Sequence, residues 1–100
     1  MWLLKTEEDA ELPFCFRLLP GNEKTIGRAV RADFIVDAQL VSRLHCRVAA
    51  GATELEVVDL ESTNGTFVNG ERVSRAKLKA GDTLGVGRVD LIVTIPNPDR

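Results

Sequence analysis

Apolar and polar residues alternate along this chain in short runs, with the period of β-strands. "FCFRLL" (14–19), "KTIG" (24–27), "DFIV" (33–36), "HCRVAA" (45–50), "ELEVVDL" (54–60), "GTFV" (65–68), "DTLGV" (82–86) and "DLIVTI" (90–95) are each rich in Val, Ile, Leu, Phe or Thr. Turn signals separate them: Pro20-Gly21-Asn22, Ala50-Gly51, Asn64-Gly65, Asn69-Gly70, Gly81-Asp82 and Gly87-Arg88. No long window carries an apolar stripe of helical period. The nearest, "RVSRAKLKAG" (72–81), is short and stops at Gly81. Short strands with closely spaced turns predict an all-β sandwich, whose binding residues gather on the loops at one end.

Composition narrows this picture. One hundred residues, 44% of them hydrophobic, suit a single domain over residues 1–95. The tail "PNPDR" (96–100), whose two prolines end the last strand, is expected to lead into further sequence. No stretch has the roughly 18 apolar residues of a membrane span. The start, "MWLLKTEEDAELPF", has acids where a signal peptide has bases, so an intracellular protein is expected. Trp2 is expected to cap the sandwich, and Cys15 and Cys46 to be small reduced core residues. A net charge of -2 argues against generic nucleic-acid binding. Residues 22–47, however, place Lys24, Arg28, Arg31, Arg43 and Arg47 against Glu23, Asp33 and Asp37. Such a mildly basic patch suits a small anion, or is simply a solvated mixed surface.

Three loops carry polar residues that a sandwich does not require. In "TIGRAVRAD" (25–33), Gly27 permits a close backbone approach, and Arg28 leaves the strand with a planar fork of donors suited to phosphate or carboxylate. In "LVSRLHCRV" (40–48), Ser42 offers a hydroxyl, Arg43 a second cation, and His45 is the one histidine of the chain. Ser42 and His45 could be a nucleophile and its base, but nothing in the sequence supplies an orienting acid or an oxyanion hole. The other reading makes His45 a partly buried anchor for the Ser42 loop. The third loop lies in "DLESTNGTFVNGERV" (59–73), where two Asn-Gly pairs leave only "TFV" between them. Two full type I′ hairpins would be cramped, so one asparagine is free for another task.

Taken in order, Gly27-Arg28, Ser42-Arg43-x-His45, Asp59-x-x-Ser62-Thr63-Asn64-Gly65-Thr66, Asn69-Gly70 and Gly81-Asp82 strongly resemble the forkhead-associated (FHA) domain, over about residues 14–95. The resemblance implies an eleven-strand β-sandwich whose loops bind phosphothreonine peptides, a protein-interaction module and not an enzyme. It implies that Arg28 binds the phosphate with Ser42 and Arg43, and that Thr63 contacts the phosphothreonine. Asn64 would hold the ligand backbone, with Gly27, His45, Gly65 and Asn69 as loop-structural residues. Implied partners are phosphothreonine-containing proteins, with no direct nucleic acid, no membrane, no metal, no cofactor and a monomeric domain. A structural or dimerising sandwich without phosphate-dependent binding is the alternative. "MW", "FRLLPG", Arg28 and His45 also resemble the amino-terminal FHA domain of nibrin-like DNA-repair adaptors, which would imply a nuclear address and a role in the DNA-damage response. Arg31 or Arg43 would then favour acidic residues beside the phosphothreonine.

Overall fold

A computed structural model describes residues 1–11 and 13–95, so the tail at 96–100 lies outside the described residues. These residues form eleven strands and no helix. The strands are β1 (Trp2–Lys5), β2 (Cys15–Leu18), β3 (Glu23–Gly27), β4 (Phe34–Ile35), β5 (Cys46–Ala50), β6 (Leu55–Asp59), β7 (Thr66–Val68), β8 (Glu71–Val73), β9 (Arg75–Leu78), β10 (Thr83–Val86) and β11 (Val89–Thr94). One sheet runs β2-β1-β11-β10-β7-β8 and the other β4-β3-β5-β6-β9. Neighbours are antiparallel except β3 and β4, which pair in parallel.

Alternation fixes which face each strand buries. Cys46, Val48 and Ala50 of β5 turn inward, as do Leu55 and Val57 of β6, to meet Leu84, Val86, Leu91 and Val93 from the opposite sheet. Removing each of the Val and Leu side chains among them from water stabilises the fold by roughly 1.5–3 kcal/mol. At one open edge Phe16 of β2 stacks on Phe34 of β4 with centroids 4.5 Å apart, joining the two sheets.

Three segments differ from the sequence expectation. "WLLK" is a strand: Trp2 is 2% exposed, and its indole N–H reaches the Gly51 carbonyl at 3.0 Å, so it caps the core from within a sheet. The segment 72–81 is neither helix nor loop. β8 and β9 belong to different sheets and meet at Ser74, with Leu78 buried and Arg75 and Lys77 exposed. Cys46 is buried as expected, but Cys15 is exposed on edge strand β2.

Candidate phosphopeptide site

Close contact between two backbones builds the first part of the site. A Cβ on Gly27 would lie 1.9 Å from the Arg43 carbonyl oxygen, so only glycine lets the end of β3 lie against the β4–β5 loop. The next amides continue the contact: Arg28 N–H donates to the Ser42 carbonyl at 3.0 Å and Ala29 N–H to that of Arg43 at 3.1 Å. Arg28 is exposed, and its Nε–H donates to the Val41 carbonyl at 3.0 Å. That bond orients the guanidinium, whose terminal N–H groups have no partner among the described residues.

His45 ties this loop to the next. Its ring is fully buried, with Nε2 2.7 Å from the Gly65 carbonyl and Nδ1 3.1 Å from the Ser42 amide. A carbonyl can only accept and an amide N–H can only donate, so these partners fix the neutral ring with its proton on Nε2. Both nitrogens are engaged with backbone. No lone pair remains to take a proton from Ser42, so the nucleophile-and-base reading has no base. Ser42 Oγ instead accepts the Thr63 N–H at 3.0 Å, leaving its own hydroxyl proton to donate.

Asp59, part of the motif but given no role by the sequence, organises the third loop. It accepts hydrogen bonds from the Ser62 hydroxyl, the Thr66 hydroxyl at 2.7 Å and the Ser62 amide at 3.2 Å. Burial works to raise its carboxyl, but these donors hold it below the usual carboxylate range. Ser62 Oγ in turn accepts the Gly65 amide, and Gly65 sits at φ 92°, where glycine carries no steric penalty.

The two asparagines separate here. Asn69 (φ 51°) and Gly70 (φ 86°) form the tight turn between β7 and β8, as a type I′ turn requires. The Asn69 side chain clips that turn to β10, donating to Asp82 at 3.2 Å and accepting the Thr83 amide at 2.9 Å. Asn64 closes no hairpin. It is exposed, and its Nδ2 donates to the Leu40 carbonyl at 3.1 Å while Oδ1 has no partner among the described residues. Leu40 itself holds φ 71°, an uncommon conformation for a branched apolar residue, at the rim of the site.

Arg28, Ser42, Thr63 and Asn64 line one open cleft of about 620 Å³, together with Asp37, Gln39 and Leu40. Arg43 is not among the lining residues. It is exposed, in the bend that follows Ser42. The cleft therefore offers an oriented guanidinium, a free hydroxyl proton and an amide acceptor side by side, a set that matches an anion joined to a peptide.

A model of the FHA domain matches residues 24–87. The chain is 40% identical over 74 residues to the ABC transporter ATP-binding/permease protein Rv1747 of Mycobacterium tuberculosis, covering 74% of this chain and 9% of that protein. It is 37% identical over 83 residues to the glycogen accumulation regulator GarA of Mycolicibacterium smegmatis, covering 82% of this chain and 52% of GarA. It thus spans about half of one of these relatives and a small part of the other. A solved FHA domain, described in a structural and functional analysis of phosphothreonine-dependent FHA domain interactions, superposes with a TM-score of 0.79. The two are 29% identical over 96% of this chain and 97% of that one. Both named relatives are bacterial, so they give no support to the narrower resemblance to nibrin-like adaptors, nor to a nuclear address or a DNA-damage role. No helix among the described residues is long and apolar enough to cross a membrane.

Proposed function

The chain belongs to the FHA family, and from that membership we propose that it recognises phosphothreonine in partner proteins and makes their association depend on phosphorylation. The observation that carries this reading is the meeting of Arg28, Ser42, Thr63 and Asn64, drawn from three separate loops, in a single cleft. Arg28 takes the phosphate with its terminal N–H groups, and Ser42 donates its hydroxyl proton to a second phosphate oxygen. Thr63 lies against the phosphothreonine, and Asn64 Oδ1 accepts a ligand backbone N–H. His45 holds the Ser42 and Gly65 loops in register without touching the ligand. Arg43 is left out of the phosphate set.

A phosphate monoester carries close to two negative charges and three strong acceptors. Each charge-assisted hydrogen bond contributes about 1.5–3 kcal/mol, all of it absent for an unmodified threonine. Binding therefore reports phosphorylation, as a regulator of kinase signalling requires. Titration with matched phosphothreonine, phosphoserine and unmodified peptides tests the reading. The phosphothreonine form should bind at least about a hundredfold tighter than the unmodified one, the equivalent of two such bonds. Equal affinity for all three would leave only a structural sandwich.

A further inference from the structure

We propose that Gly87, in the turn between β10 and β11, is a positioning residue of the phosphopeptide cleft, propping the two carbonyls that aim Arg28 and Asn64. The inference rests on the phosphothreonine reading above and adds to it a residue that acts without touching the ligand.

The two carbonyls are neighbours in the β4–β5 loop. Val41 accepts the Arg28 Nε–H at 3.0 Å, and Leu40 accepts the Asn64 Nδ2–H at 3.1 Å. The loop holds them weakly by itself: Leu40 sits at φ 71°, and the Val41 amide reaches the Ala38 carbonyl only at 3.4 Å. Such a backbone conformation persists where its surroundings impose it. Here the buried Val41 side chain anchors the loop, and Gly87 provides the surface on which it rests.

Gly87 and Arg88 alone join β10 to β11, with Val86 paired to Val89. Of the two, only Gly87 has a positive φ, 62°, the pattern of a type II′ turn with glycine in its first central position. The surroundings are tighter than the turn alone demands. A Cβ on Gly87 would lie 2.9 Å from Val41 Cγ2, 3.0 Å from the Leu40 carbonyl carbon and 3.1 Å from the Gln39 carbonyl oxygen. Two of these are backbone atoms, and valine is stiff at χ1. Because β10 is locked between β7 and β11, an added methyl displaces the loop and not the strand. The same end of β10 also seats the third loop, since Val86 pairs with Thr66, two residues after Asn64. β10 therefore meets the Leu40 loop at Gly87 and the Asn64 loop at Val86, and sets the gap that the Asn64–Leu40 bond spans. Binding groups need placement to within about 0.5 Å, so even a small shift of this loop is felt at Arg28 and Asn64.

The test compares Gly87→Ala and Gly87→Asn with Gly21→Ala. Gly21 shares the positive φ, 93°, but has nothing within 4 Å of its would-be Cβ, so its variant carries the backbone strain without the contact. Asparagine tolerates a positive φ, so Gly87→Asn keeps the added Cβ should Gly87→Ala fail to fold. Both Gly87 variants should bind a phosphothreonine peptide about three- to tenfold more weakly than the wild type, the worth of one ordinary hydrogen bond. In the free protein their Arg28 Nε–H and Asn64 Nδ2–H NMR resonances should move toward those of unbonded side chains. Gly21→Ala should melt at a lower temperature yet keep wild-type affinity and both resonances. Wild-type affinity and unmoved resonances in a folded Gly87 variant overturn the inference, as does an equal loss of affinity in Gly21→Ala. A wild type that binds phosphothreonine and threonine peptides equally overturns the phosphothreonine reading, while the two resonances still decide whether Gly87 props the loop.

Discussion

His45 and Gly65, twenty residues apart, are joined by a 2.7 Å hydrogen bond from a fully buried imidazole to a backbone carbonyl. Because the other ring nitrogen holds the Ser42 amide, one side chain sets the spacing between two loops that line the cleft. His45→Ala should cost about 2–5 kcal/mol of stability, since it strands two buried backbone groups and leaves a cavity. Phosphopeptide affinity should fall as well, although His45 lies outside the cleft lining. Urea unfolding and peptide titration of the same variant check both effects. Unchanged affinity in a folded variant would show that the loops hold their spacing without the ring.

Asn64 and Asn69 should fail in different ways. Asn69→Ala places a Cβ-bearing residue without a compensating side chain at φ 51° and removes the bonds to Asp82 and Thr83. About 1–3 kcal/mol of stability should be lost, with phosphopeptide affinity unchanged below the melting transition. Asn64→Ala removes one exposed bond to Leu40 and should cost less than about 1 kcal/mol, while weakening binding whatever residues flank the phosphothreonine. Paired melting curves and titrations separate the two. The reverse pattern would exchange their roles.

The period-two runs made most of the sandwich legible in the sequence, and its failures have physical causes. "WLLK" is too short to show alternation before the acidic run that follows it. In "ERVSRAKLK" the charged residues of β9 occupy the solvent face, where Arg75 and Lys77 pair with Glu56 and Glu54. There the inward Ala76 and Leu78 are hard to see as an apolar stripe. Of the cleft lining, Arg28, Ser42, Thr63 and Asn64 were readable because each is a polar residue that the fold does not require. The roles of Asp59 and of the Leu40 carbonyl were not. Asp59 acts through hydroxyl groups that come near it only when the loop closes, and Leu40 through its carbonyl, which any residue possesses.

Acid should weaken the fold through its hydrogen-bonded aspartates. The Lys79 amide, followed by the Asn69 side chain, holds Asp82 below its ordinary range, and the net effect at Asp59 has the same sign. A carboxyl lowered in the folded state adds stability that is complete above its unfolded value, near 3.9, and is lost as pH falls through the folded one. Wild-type urea midpoints should therefore drop between about pH 5 and pH 2. Asp59→Asn and Asp82→Asn should each start lower at neutral pH and drop less over that range. An equal acid-induced drop in both variants would place the sensitive groups elsewhere.

The two cysteines should differ in reactivity by their burial. Burial first, and the nearby Asp59 charge second, push the Cys46 thiol up to about 12, so almost none of it is thiolate at neutral pH. Cys15 is exposed on edge strand β2. A thiol reagent should label Cys15 in the folded protein and Cys46 only on unfolding, which makes Cys46 a reporter of global opening. The site predicts one further property of that reporter. Cys46 follows His45 directly and lies opposite Asp59 in the β5–β6 ladder, so opening there must disturb both groups that hold the loops of the cleft. A saturating phosphothreonine peptide should slow Cys46 labelling in proportion to one plus the ratio of its concentration to Kd, while Cys15 labelling stays unchanged. Mass spectrometry of the two labelled peptides reads both rates at once. If the ligand protected Cys15 and not Cys46, binding would be coupled to β2 and not to the loops that His45 and Asp59 organise.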